Sequence, residues 1–126
     1  MQHIKQIGSH AFVNSNISRI SIPSQITHMG DGAFRNCQNL DYVEIKPDSK
    51  LVKIMEAAFY NTKIDEFKIP SSVTSIGDYA FSECSSLTKI TIPSSIISIG
   101  DYAFNEKSIE SLDIPEDSKL KILVFD

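Results

Sequence analysis

The pair Ala-Phe recurs along the sequence at nearly constant spacing, and this repeat constrains the fold more than any other feature. The pair stands at 11–12, 33–34, 58–59, 80–81 and 103–104, so its Phe positions are 22, 25, 22 and 23 residues apart. A unit of that length cannot enclose a hydrophobic core alone, whereas stacked units bury one continuous apolar column. The sequence therefore predicts a solenoid of five repeats.

Apolar residues flank each Ala-Phe pair in a fixed pattern. Ahead of the pair comes apolar-x-x-apolar, as in Val73 and Ile76, and in four of the five copies a Gly follows. After the pair comes apolar-x-x-apolar-x-apolar, as in Leu87, Ile90 and Ile92. The last two positions alternate with polar residues, which is typical of a strand with one buried face. A Pro ends most of these strands, because proline has no N–H to give to a sheet.

The segment Gly-Asp-x-Ala-Phe predicts a tight corner followed by one short helical turn. Gly permits a positive φ at such a corner. An Asp beside it is placed to cap the exposed N–H groups of the turn, and it occurs at Asp31, Asp78 and Asp101. We expect the repeated Phe side chains to stack in one interior row, at Phe12, Phe34, Phe59, Phe81 and Phe104.

The combined pattern Leu-x-x-Ile-x-Ile-Pro-x-x-Val/Ile-x-x-Ile-Gly-x-x-Ala-Phe-x-x-Cys resembles the BspA-type, or Treponema-type, leucine-rich repeat and spans essentially the whole chain. The predicted fold is an α/β-type leucine-rich-repeat solenoid. It is right-handed, with parallel strands on the concave face and short turns, helical turns or strands on the convex face. We expect a single domain over residues 1–126, with five repeats and a truncated sixth at 120–126. The resemblance implies a non-catalytic protein, and several members of the family are adhesins that bind host matrix proteins.

Composition and charge narrow the classes of partner. The chain has 126 residues, a formal net charge of −4 and a pI near 5.3, and its twelve Lys and Arg are scattered. Nucleic acids and anionic membranes favour a clustered basic face, so neither is expected as the main partner. The sequence has no apolar run of membrane-spanning length, and its first residues lack the apolar core of a signal peptide. A cytoplasmic location is expected, or the cell surface if the chain is a fragment of a longer secreted protein.

The Cys, His and acidic residues lack the spacing that a disulfide, a metal site or a hydrolase site requires. Cys37 and Cys84 lie two coils apart, which predicts about 10 Å between their Cα atoms and no disulfide. The three His residues have no metal-ligand spacing, so no metal and no cofactor are expected. A hydrolase would need two carboxylates in a cleft, whereas a regular solenoid presents a smooth face. The sequence therefore predicts a protein that is not an enzyme.

The outward residues of the predicted strands form the candidate binding site. They make two columns, one of Arg19, Tyr42, Glu66, Lys89 and Ser111 and one of Ser21, Glu44, Lys68, Thr91 and Asp113. Repeat proteins bind partners on such extended concave surfaces. The alternative is that opposite charges on neighbouring strands, Glu44 with Lys68 and Glu66 with Lys89, form self-satisfied ladders. The first hypothesis is an intracellular scaffold or regulator that binds a protein partner, and the alternative is a cell-surface adhesin.

Two other features complete the expectations. Tyr79 and Tyr102 share one repeat position, where they either shield the apolar column or stack on a ligand.

The C-terminal segment is strongly apolar and lacks a recognisable cap, and it contains Leu120, Ile122, Leu123, Val124 and Phe125. An uncapped edge either folds back over the core or pairs with a second molecule. The sequence predicts a homodimer through this edge.

Overall fold

The computed structural model describes residues 4–104, 109 and 111–115, with backbone only for 111–113. The described residues contain ten short strands, in which strands of two residues alternate with strands of three or four residues. Their bounds are β1 Gln6–Ile7, β2 Arg19–Ile22, β3 His28–Met29, β4 Tyr42–Ile45, β5 Lys53–Ile54, β6 Glu66–Lys68, β7 Ser75–Ile76, β8 Lys89–Thr91, β9 Ser98–Ile99 and β10 Ser111–Asp113.

All strand pairs are parallel, as the repeat predicts. The two-residue strands form one five-stranded sheet in the order β1-β3-β5-β7-β9, which we call the short-strand sheet. The longer strands form two sheets, β2-β4 and β6-β8-β10. The parallel-strand solenoid is confirmed, but the described residues contain no helix, so the α/β description is not confirmed. Handedness stays a prediction.

The segment predicted as a helical turn is instead a run of linked β-turns. In the first coil the Ala11 N–H donates to the Gly8 carbonyl and the Val13 N–H to that of His10. Residues in the left-handed conformation stand four positions apart in each turn segment, and they prevent a helix from propagating. They are His10, Gly32, Ala57, Tyr79 and Tyr102 at one position, and Asn14, Asn36, Asn61 and Glu83 four residues later, all with φ between 55° and 61°.

Each turn also binds the next coil through its backbone. The N–H groups of His10, Phe12 and Asn14 donate to the carbonyls of Asp31, Ala33 and Arg35 at 2.8–2.9 Å. The second coil donates in the same way to the third, from Gly32, Phe34 and Asn36. Later coils repeat the pattern, so three rows of peptide groups run along the solenoid axis with their N–H groups pointing toward the C-terminal coils.

The positive φ predicted at the corner glycines is wrong, because Gly30, Gly77 and Gly100 do not have one. What these positions require is space. A Cβ on Gly77 would lie 2.7 Å from the Glu56 nitrogen and 2.7 Å from the Met55 carbonyl carbon, both backbone atoms of the preceding coil. Real Cβ atoms do not approach backbone so closely, so the stacking distance between coils depends on the missing side chain.

A column of phenylalanine rings fills the interior, as predicted. Successive rings from Phe12 to Phe104 stack with centroids 5.2–5.5 Å apart and planes within 14° of parallel. Phe67 lies against Phe59 and Phe81 at a tilt of 54–56°. The strand-face Ile, Leu and Val residues complete the core around this column.

Both cysteines are free and buried, as predicted. The Cys37 Sγ donates to the Phe12 carbonyl and the Cys84 Sγ to the Phe59 carbonyl, each at 3.0 Å. Cys84 also lies 3.3 Å from the Thr62 hydroxyl, which occupies the same repeat position one coil earlier. Each thiol therefore donates to the carbonyl of the repeat Phe one coil earlier.

Replacing Phe59 should cost far more stability than replacing Phe12. Phe59 is fully buried between two stacked rings, so Phe59→Ala should lower the free energy of unfolding by about 3–5 kcal/mol. Phe12 is 38% exposed and stacks on Phe34, so Phe12→Ala should lose clearly less. Urea unfolding followed by circular dichroism measures both. If both variants lost the same unfolding free energy, the stacked phenylalanine rings would not be the main core.

The thiols should make stability fall at alkaline pH. Burial raises the pKa of Cys37 and of Cys84, so the fold favours the neutral thiol. Their contribution is fully present below the ordinary thiol pKa of about 8.5 and is lost as pH rises toward the raised value. Urea unfolding from pH 7 to pH 10 measures this loss. The Cys37→Ser/Cys84→Ser variant should show a smaller decline, and an unchanged decline would contradict the assignment.

Candidate protein-binding face

The long strands place the predicted site residues on one surface, which we call the long-strand face and define by the outward residues of β2, β4, β6, β8 and β10. Arg19, Tyr42, Glu66 and Lys89 are exposed in one column. Ser21, Lys68 and Thr91 are exposed in the other, where Glu44 is half-buried. Ser111 and Asp113 continue the two columns by backbone register on β10.

Strand register brings the predicted neighbours together within each of the two long-strand sheets. Arg19 pairs with Tyr42 and Ser21 with Glu44 across β2 and β4. Glu66 pairs with Lys89 and Lys68 with Thr91 across β6 and β8. On one face of a parallel sheet, paired residues are close enough for their side chains to interact. The columns are therefore real within each sheet.

A break between β4 and β6 interrupts the face, and the periodicity did not predict it. The Lys63 N–H donates to the Leu40 carbonyl at 2.9 Å just before these strands, but β4 and β6 themselves form no ladder. The break falls where the repeat lengthens to 25 residues. Val43 and Ile45 on β4 are only partly buried beside it, whereas Phe67 on β6 and Ile69 just after it are buried.

The charge ladder weighed as an alternative does not form in the described residues. Glu44 pairs with Lys46 on its own side of the break, at 3.6 Å, rather than with Lys68. Glu66 and Lys89 are in register but form no ion pair within residues 4–104. Within residues 4–104, no side chain forms an ion pair with Lys68, Lys89 or Glu66.

Arg19 and Tyr42 stack on each other on this face. The Arg19 guanidinium carbon lies 4.8 Å from the Tyr42 ring centroid, within the range of a cation–π contact. Tyr42 keeps 47% of its surface exposed, so the pair is held in place but not covered. Arg and Tyr are the residue types that most often anchor protein interfaces. Stacking lowers the entropy that either side chain would lose on binding.

A second stacked pair lies elsewhere and was missed by sequence reasoning. The Arg35 guanidinium carbon is 5.0 Å from the Tyr60 ring centroid, on the turns that follow the repeated Phe. Arg35 and Tyr60 occupy the same repeat position in successive coils, and this is the signal that could have found them. Tyr79 and Tyr102 also stack on each other, with ring centroids 5.5 Å apart, and both stay partly exposed.

An acidic row runs along the corners and serves the fold. Asp31, Glu56, Asp78 and Asp101 share one repeat position. The first three of them border a groove of about 400 Å³ over β5, β7 and β9. The Glu56 N–H donates to the Asp31 Oδ1 and the Asp101 N–H to the Asp78 Oδ1, at 3.2 and 2.8 Å. Asp31 and Asp78 therefore cap the following coil, rather than their own turns as predicted.

The rest of the described surface offers shallow relief. A polar depression of about 200 Å³ is lined by Gln38, Asn61, Thr62, Lys63, Glu83 and Ser85. Within residues 4–104, no three His, Cys, Asp or Glu side chains converge in a way that could hold a metal ion. No described segment forms a helix long and apolar enough to cross a membrane. The predicted dimer edge, Leu120 and Ile122 to Phe125, lies outside the described residues.

Solved structures share this architecture. A leucine-rich repeat protein of Treponema pallidum, TpLRR, is 28% identical with a TM-score of 0.81 over 86% of this chain and 51% of its own. A leucine-rich repeat protein of Bacteroides ovatus is 31% identical with a TM-score of 0.79 over 89% and 29%. The pneumococcal vaccine antigen PcpA, at 22% identity and a TM-score of 0.70 over 90% and 36%, shows the fold alone.

The sequence itself matches a family profile over nearly its whole length. No curated protein shows a significant match to the chain. The chain spans about half the length of the Treponema protein and under a third of the Bacteroides protein. The profile of the BspA type leucine rich repeat region matches residues 3–125 in six copies. The resemblance seen in the repeat is thereby confirmed, and the chain belongs to the BspA-type leucine-rich repeat family.

Proposed function

We propose that the chain is a non-catalytic interaction module that binds a protein partner on its long-strand face. Leucine-rich repeat proteins are in general interaction modules without enzymatic activity. The observation that carries the proposal is the Arg19–Tyr42 pair, which is ordered by stacking yet left exposed. An interface hot spot requires both properties, because the anchor must be pre-positioned and must lose water on binding.

Charge on the face supports a protein partner of mixed polarity. Lys68 and Lys89 lie near Glu66 on the β6-β8-β10 sheet, so neither sign dominates. A partner would meet an aromatic and cationic anchor at Arg19 and Tyr42, then alternating charges toward the C-terminal coils. Such charges set register and specificity more than affinity.

The proposed role is an intracellular scaffold or regulator, and the alternative is a cell-surface adhesin. Two buried free thiols are compatible with a reducing compartment. The adhesin alternative draws on the family's resemblance to surface proteins. Fractionation of source cells, with an antibody against the chain, separates the two: cytosolic signal supports the scaffold, and membrane or surface signal supports the adhesin.

Truncating the anchor should weaken partner binding. Tyr42→Ala, alone or with Arg19→Ala, should weaken binding by about 2 kcal/mol or more, roughly thirtyfold, because a central aromatic anchor is lost. The chain immobilised on beads captures partners from extracts of source cells, and the affinity of the captured protein is then measured by calorimetry with each variant.

The matched control is the other cation–π pair. Arg35→Ala/Tyr60→Ala removes the same chemical groups from the turn side of the molecule and should leave partner affinity unchanged. Circular dichroism establishes that both variants stay folded. The proposal is wrong if the control variant loses the partner while Tyr42→Ala retains it.

A further inference from the structure

The break between β4 and β6 is confined to one side of the solenoid. On the other two sides the second and third coils are joined without interruption. β3 pairs with β5 in the short-strand sheet, and the N–H groups of Gly32, Phe34 and Asn36 donate to the turn of the third coil at 2.8 Å. The two coils therefore lie in register with each other and lack a ladder only along their long strands.

Equivalent positions show which hydrogen bond the break removes. Ser18, Asp41, Asp65 and Thr88 share one repeat position, directly before the long strands. The Asp41 N–H donates to the Ser18 carbonyl at 3.0 Å, and the Thr88 N–H donates to the Asp65 carbonyl at 3.4 Å. Within residues 4–104, the corresponding bond from the Asp65 N–H to the Asp41 carbonyl is absent. The row is thus interrupted at one step between two intact steps.

Side chains beside the break are incompletely packed on its β4 side. Val43 and Ile45 are only half-buried, whereas their counterparts in the fourth coil, Ile90 and Ile92, are 2% and 0% exposed. Phe67 on β6 lies against rings of the third and fourth coils, with centroids 5.2 and 5.0 Å away, and so packs on its own side of the break. Apolar surface that a ladder would bury therefore remains partly exposed on β4.

We propose that the break is a joint that closes and opens, so that the long-strand face has two forms. The open form is that of this structure, and in the closed form β4 pairs with β6 to make one continuous sheet. Closure needs no change of register, because the short-strand sheet and the turns already hold the two coils in step. It adds the bond from the Asp65 N–H to the Asp41 carbonyl and buries more of Val43 and Ile45, which favours it.

Few contacts oppose closure. The Glu44–Lys46 ion pair spans 3.6 Å on the surface, where such a pair adds little stability in water. Closure would place Glu44 beside Lys68, its equivalent on the next long strand, so one exposed ion pair replaces another. Two forms of similar free energy interconvert, and anything that prefers one of them shifts the population.

The closed form would change the charge pattern of the long-strand face. In the open form Glu44 is turned to Lys46 and no side chain within residues 4–104 pairs with Lys68. In the closed form Glu44 and Lys68 would be neighbours across one ladder. The inference does not depend on the proposed function, because it concerns contacts within the chain alone.

The test traps the closed form with a disulfide. Glu44→Cys/Lys68→Cys is made in the Cys37→Ser/Cys84→Ser background, so that only one disulfide can form. Neighbouring strands lie about 4.8 Å apart in a ladder, inside the range of roughly 4.4–6.8 Å between Cα atoms that a disulfide spans. Oxidised glutathione accepts the two electrons and leaves as reduced glutathione.

Hydrogen exchange of single amides, followed by NMR, reads out the trap. On oxidation the Asp65 amide should exchange about tenfold or more slowly, because its hydrogen bond to Asp41 exists only in the closed form. Reduction of the disulfide should restore the fast exchange. In the native chain the Asp41 amide is the internal reference, since it is the same residue type at the same repeat position with its bond intact. It should exchange about tenfold or more slowly than that of Asp65.

A matched control and a second trap make the outcome decisive. Ser21→Cys/Glu44→Cys joins β2 to β4, which are already paired, and should oxidise while leaving the exchange of Asp65 unchanged. Tyr42→Cys/Glu66→Cys traps the same closed ladder at the neighbouring position, so the test survives if one pair fails to fold by circular dichroism. The proposal is overturned if both traps stay reduced where the control oxidises, if oxidation leaves Asp65 exchange unchanged, or if native Asp65 exchanges as slowly as Asp41.

Discussion

Backbone contact between successive coils is the interaction on which the rest of the structure depends. Three rows of peptide groups join the turns, while glycine at the corners allows the backbones to approach. That approach fixes the repeat distance at which the phenylalanine rings stack, 5.2–5.5 Å apart. Aligned peptide groups in a row polarise one another, as they do along a helix. The solenoid is thus directional, with acceptors at one end of the turns.

The binding surface is a consequence of this stacking. A parallel register places one outward residue per strand in each column, so each column is continuous within the β2-β4 sheet and within the β6-β8-β10 sheet. What varies is the side chain at each position, and here it yields an aromatic and cationic anchor near the first coils and mixed charge beyond. The break between β4 and β6 divides these two parts, which lets them differ in shape as well as in charge.

The long third repeat shows how a small change in length acts on the whole face. This repeat is two or three residues longer than the others, and the extra residues enlarge the turn around Pro47 to Lys50. The strand ladder between β4 and β6 is lost in the same repeat. The core is unchanged by the longer repeat, because the ring centroids of Phe34 and Phe59 are 5.3 Å apart, like those of the neighbouring rings. Core and surface therefore respond differently, since aromatic stacking is maintained where a strand ladder is not.

The sequence by itself determined the repeat, the parallel strands, the interior phenylalanine row and the outward columns, because each follows from periodicity and polarity of side chains. It misassigned the corners: Gly30 serves close approach rather than a positive φ, Asp31 caps the following coil, and His10 and Asn14 are the left-handed residues. Those facts depend on which backbone lies beside each residue. Only the tertiary structure decided them, together with the Arg19–Tyr42 stack and the broken sheet, because contacts between coils are absent from any single repeat.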